Sequence, residues 1–110
     1  MGKEMRKIID ELIFIGYNIK HIGTLMMAEC IKIIISSPNI DIINDLENNV
    51  YSIIAEKYKT NIKAVKGNLV NATNYMYNMS DFSRIQEYFG FYEDTKPTPK
   101  VVINTVLRKI

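Results

Sequence analysis

Residues 57 to 78 hold four lysines (Lys57, Lys59, Lys63 and Lys66) and five asparagines, with no aspartate or glutamate among them. That combination has a specific chemical use. A local run of positive charge in a chain of net charge only +2 suits a polyanion. An asparagine amide can donate to adenine N7 and accept from adenine N6 in the DNA major groove, and a lysine can hold a phosphate or a guanine edge. The plainer reading is compositional. Ile, Asn, Lys and Tyr are all abundant here, and all have A·T-rich codons, so a low-GC genome would supply asparagine to any solvated face. Both readings stand at this point.

The elements that must position these residues follow from periodicity. At about 100° per residue, Val65, Leu69, Ala72 and Met76 fall on one side of a helix predicted from about Ile62 to Asn78. Opposite them lie Lys63, Gly67, Val70, Asn71 and Asn74, with Lys66 and Ala64 on the flanks. Lys59-Thr60-Asn61 reads as a tight connection, and Asn61 as the N-cap of the helix after it. Before the turn, Val50, Ile53, Ile54 and Tyr58 space a shorter helix from about Asn48 to Tyr58. Ala55 supplies the small residue that two closely crossing helices need, and Val65 turns inward ten positions later. This is helix-turn-helix spacing over about residues 48–78, although any two packed helices with a short loop share it.

Nothing in the remainder reads as a strand, and the predicted fold class is all-α, a bundle of about six helices in a single domain over residues 1–110. Ile8, Ile9, Leu12 and Ile13 mark a first helix ending near Gly16. Thr24 to Ile35 is apolar nearly all round and belongs at the centre of a bundle. Ser36-Ser37-Pro38-Asn39 ends it. A short helical turn at Ile40 to Leu46 is expected next. After the lysine-rich helix, Ser80 or Asp81 caps a helix with Phe82, Ile85 and Phe89 inward, stopped by Gly90. Phe91 to Pro97 reads as a loop. A last helix, Thr98 to Ile110, carries Pro99 in its first turn and lines one face with Val102, Val106 and Ile110.

Other chemistries find little support. Apolar residues make up 47% of the chain, which argues against disorder. No signal peptide and no membrane-length apolar run is present, so a cytoplasmic location is expected. The one cysteine, Cys30, lies on the apolar helix as a small core residue, beside the core fillers Met26 and Met27. His21 is the one histidine, which leaves no catalytic triad to assemble; it reads as a surface or capping residue, or as a phosphate contact. Asp41 and Asp45 read as a solvated face, and Tyr75 and Tyr77 as packing residues. No glycine-rich phosphate loop exists. The expectation is a protein that is not an enzyme and has no cofactor, metal or small-molecule substrate.

Three stretches resemble, in order and spacing, the C-terminal effector domain of the stage zero sporulation protein A family. "IGYNIKHIGTLMMAECI" is similar to the family's first loop and long second helix. "VYSIIAEKYKTNIKAV" is similar to its first helix-turn-helix helix and turn. "YFGFYEDTKPTP" is similar to its signature near the C-terminus. The resemblance implies major-groove DNA binding by the helix after the turn, pairing of two domains along repeated boxes, and a role in transcription regulation. Lys63, Lys66, Gly67, Asn71 and Asn74 would then face the groove, Lys59, Lys57 and Lys96 would contact phosphates, and Asn61 at the turn would be among the DNA-binding residues. The family's regulators carry arginines at the positions of Ala64, Gly67 and Val70, a glutamate at Lys66, a histidine at Asn71 and a glutamate at Asn74. This chain keeps none of them, so the scaffold is retained and the reading face rewritten. The alternative is an interaction module that does not bind DNA and pairs with a full-length regulator, using apolar surface on the last helix (Val101, Val102, Val106, Leu107). No receiver domain is expected within this sequence ahead of the effector region. The chain is therefore either a free-standing domain controlled by abundance or a partner, or an excised one.

Overall fold

The apolar run after Gly23 becomes the axis around which the other helices pack. The computed structural model describes residues 3–90 and 96–110, without the side chains of Lys3 and Ile40. Six α-helices follow in order: α1 (Lys3–Ile15), α2 (Ile22–Ser36), α3 (Ser52–Lys57), α4 (Ile62–Met79), α5 (Phe82–Phe89) and α6 (Pro99–Lys109). Between α2 and α3 lie a 3₁₀ segment, Ile40–Asp45, and a π-type turn, Glu47–Tyr51. No strand occurs among the described residues. Residues 91–95, which hold most of the expected loop and the middle of the C-terminal stretch quoted above, lie outside the described residues.

α2 buries residues on every side, including Thr24, Met26, Met27, Cys30, Ile31 and Ile34, because it contacts α1, α4 and α6 at once. α2 and α4 approach closely at Gly23, where an added Cβ would stand 2.1 Å from the Asn68 carbonyl oxygen and 2.8 Å from the Ala72 Cβ. α1 contributes Ile8, Leu12 and Ile15, the i, i+4, i+7 stripe. Gly16, at φ +118°, ends α1, and Ser80 Oγ donates to the Ile15 carbonyl at 2.6 Å, tying that end to the start of α5. Behind it the buried Tyr17 hydroxyl meets Thr73 Oγ1 at 2.8 Å, which fixes the α1–α2 loop against α4.

Several apolar positions differ from expectation. Ile13 is 46% exposed, since it turns about 100° past Leu12 and off the buried stripe. Ile53 is half exposed for the same reason beside Ile54. On α5 the inward pair is Ile85 and Tyr88; Phe82, in the first turn, is exposed and Phe89 half-buried. Ile110 follows the last helical residue and is exposed, whereas Val102 and Val106 are fully buried. The expected helix from Asn48 begins as the π-type turn. There Asn48 donates to both carboxylate oxygens of Asp45 and Asn49 Nδ2 donates to the Ile42 carbonyl, side-chain bonds that compete with regular helix geometry.

Candidate nucleic-acid interface

The turn between α3 and α4 is closed by backbone bonds. Tyr58 N–H donates to the Ile54 carbonyl at 3.0 Å and Thr60 N–H to the Ala55 carbonyl at 2.9 Å. Ala55 is buried, as the small residue at a close crossing should be. Lys59 adopts φ 54°, the left-handed region that a side chain disfavours. Asn61 then caps α4: its Oδ1 accepts from the Ala64 N–H at 2.8 Å.

α4 presents the two faces its periodicity predicts. Val65, Leu69, Ala72, Thr73 and Met76 are buried, while Lys63, Lys66, Gly67, Val70 and Asn71 are exposed. Asn74 and Ala64 are half-buried at the margins. Nothing approaches within 4 Å of a Cβ built on Gly67, so this stretch of helix backbone is bare. The first turn of α4 holds Lys63 and no acid. Cation and helix dipole therefore add at one end, an arrangement that disfavours the free helix and favours an arriving anion.

Packing changes the charge pattern read along the chain. Lys57 is ion-paired with Glu29 of α2, whose other oxygen accepts the Tyr58 hydroxyl at 2.5 Å. Burial, then the bond to Glu29, pushes the Tyr58 phenol up to about 12. Lys66 Nζ lies 2.8 Å from Glu47 Oε1. Of the four lysines, Lys59 and Lys63 are the two with no acid partner among the described residues. Lys96 is exposed three residues before α6.

Shallow grooves surround the outer face of α4. One, at its N-terminal end, is lined by Ser52, Glu56, Asn61 and Lys63. A second runs between Lys66, Val70 and the start of α6 at Lys100. A third runs between Asn68, Asn71 and the start of α2 at Lys20 and His21. Lys20 and Lys100 were not singled out by sequence. A signal existed for Lys100: it is a lysine in a first helical turn with no acid beside it, where the dipole alone would not place one. His21 occupies the N-cap position of α2 without a side-chain capping bond and meets the Tyr75 ring edge-on at 4.6 Å, so it packs rather than caps. Cys30 is fully buried, its thiol pushed up to about 12 by burial and by Glu29. Among the described residues no cluster of three His, Cys, Asp or Glu could hold a metal, and no helix is long and apolar enough to cross a membrane.

A comparison with curated proteins found no match. The family model described as "Sporulation initiation factor Spo0A C terminal" matches residues 8–110, from the first buried residue of α1 to the end of the chain. The all-helical scaffold, with a solvated helix face after a tight turn, is compatible with such a domain. The chain belongs to the family of the sporulation initiation factor Spo0A C-terminal domain, a family of DNA-binding effector domains.

Proposed function

We propose that this domain is a sequence-specific transcription regulator that lays α4 in the DNA major groove and reads a different box from the sporulation regulators. The observation that carries the proposal is the outward face of α4: Lys63, Gly67 and Asn71 exposed in succession, with no acid on the helix. Asn71 and Asn74 would each address an adenine through N6 and N7, and Lys63 a phosphate or a guanine. Gly67, with open space where a side chain would be, lets the backbone approach the base edges. Lys59 in the turn, Lys96 before α6, and Lys20 and Lys100 at the flanking grooves would neutralise phosphates on either side. Lys57, already matched by Glu29, adds least.

Each bidentate arginine–guanine contact discriminates by about 1–3 kcal/mol, and neither Gly67 nor Val70 can make one. The preferred site is therefore richer in A·T pairs, and the family's usual box binds weakly. The alternative of a pairing module rested on spare apolar surface along α6. Val102 and Val106 are fully buried within the domain, and Val101 and Leu107 are half-buried, so α6 offers less spare apolar surface than its sequence suggests. Selection of bound duplexes from a random pool at low salt tests the proposal. Enrichment of a defined A·T-rich site is expected; no enrichment would overturn it.

A further inference from the structure

Two lysines pair with acids, Lys57 at the end of α3 and Lys66 on α4, and the two pairs differ in kind. Glu29 is only 13% exposed in its side chain and both of its oxygens are engaged, one by Lys57 and one by Tyr58, so it clamps α2 to the end of α3. The Lys66–Glu47 pair is open: each side chain is 53% exposed, and among the described residues only one oxygen of Glu47 is engaged. Glu47 comes from the π-type turn, outside the two helices of the motif. Lys66 itself lines the groove that runs from α4 to Lys100, next to the exposed Val70.

We infer that Glu47 stands in for a DNA phosphate, holding Lys66 off the duplex and setting the domain's affinity below what its cations could give. This rests on the DNA-binding reading above. For Lys66 to reach a phosphate it must leave one carboxylate oxygen for another anion, and the carboxylate it leaves then lies near the duplex and repels it. The net gain from Lys66 is small, although its charge faces the interface. Glu47 is thus an affinity-determining residue that touches no base. Exposure of both partners makes the exchange feasible, whereas the buried Glu29 clamp does not permit it for Lys57.

The test is a double-mutant cycle on the full chain, read as duplex affinity at several salt concentrations with a defined random-sequence duplex as probe. Glu47→Gln is expected to raise affinity about two- to fivefold, the worth of an exposed ion pair. It is also expected to steepen the log–log salt dependence by about 0.9, one further phosphate contact. Adding Lys66→Met is expected to remove the extra slope and most of the gain. Glu47→Gln should lower the melting midpoint only slightly, by no more than the worth of one exposed ion pair, so a changed affinity is not a changed fold. An equal gain with and without Lys66 means Glu47 merely repels DNA, and overturns the inference, as does no gain at all. If parent and variants alike fail to bind duplex at low salt, the DNA-binding reading falls and takes this one with it.

Discussion

The Cα of Gly23 lies so close to Asn68 that a methyl group on it would stand 2.1 Å from the Asn68 carbonyl oxygen. This contact sets the position of α4. It presses the helix backbone against α2 from the inside, while Lys63, Gly67 and Asn71 remain outward. The obstacle is backbone, with no flexible side chain to move aside. Gly23→Ala must therefore push the two helices apart, and overpacking of this kind costs about 1–3 kcal/mol or more. Urea unfolding should register the loss; a variant as stable as the parent would mean the helices are not in contact there.

Gly67 makes the opposite case one residue before Asn68. A methyl group there meets nothing within 4 Å. Gly67→Ala should stabilise the fold by about 1 kcal/mol through helix propensity alone. If the bare backbone is used to approach DNA, duplex affinity should fall while the melting midpoint rises. Affinity that stays constant or increases would remove Gly67 from the interface.

Lys59 holds a left-handed backbone conformation in the turn at φ 54°. Lys59→Gly relieves strain of about 1–2 kcal/mol, partly offset by the greater freedom of glycine in the unfolded chain. The expected result is a domain at least as stable as the parent with weaker, less salt-dependent DNA binding. A fall in stability would show that the lysine side chain makes contacts that outweigh the strain.

How much of this was legible beforehand depended on whether a residue's surroundings come from its own helix. The inward set Val65, Leu69, Ala72 and Met76 and the cap at Asn61 follow from helical period and local hydrogen bonding, and both were found as read. The pairings of Lys57 with Glu29 and of Lys66 with Glu47 join residues 28 and 19 positions apart. Such pairs have no periodic signature, so the positive field along α4 looked stronger in the sequence than it is in the fold. Ile13 and Phe82 failed for other reasons: Ile13 is one position off the buried stripe and indistinguishable by type from a residue on it, and Phe82 is the first residue of its helix. The irregular entry to α3 arose from Asn48 and Asn49 bonding backwards, a competition visible in residue type but not in outcome.

The phenols of Tyr51 and Tyr58, ordinarily 10.0, are both pushed up to about 12, chiefly by burial, and the Cys30 thiol rises from 9.0 to about 12. Each is neutral when protonated, and each holds its proton in the folded state at pH values where the unfolded chain has released it. Below their ordinary values these groups contribute constant stability. As pH rises from there through about 12 the folded state binds more protons than the unfolded one, so stability falls. The melting midpoint should be insensitive to these groups around neutrality and drop in that alkaline window. Cys30 should also resist a maleimide until the domain unfolds. Rapid labelling of the native protein at neutral pH would contradict the burial of α2.

Lys63 offers the most direct test of the whole account. It is exposed, has no acid partner among the described residues, and stands in the first turn of α4. Lys66→Glu would be a poorer choice, because it would set two carboxylates against each other at Glu47. Lys63→Glu should leave the melting midpoint unchanged or slightly raised, since a carboxylate suits a helix N-terminus by about 0.3–1 kcal/mol. Duplex affinity at low salt should fall on the order of tenfold, with a shallower salt slope. Equal binding by parent and variant, in proteins that melt alike, would contradict the claim that this face of α4 meets DNA.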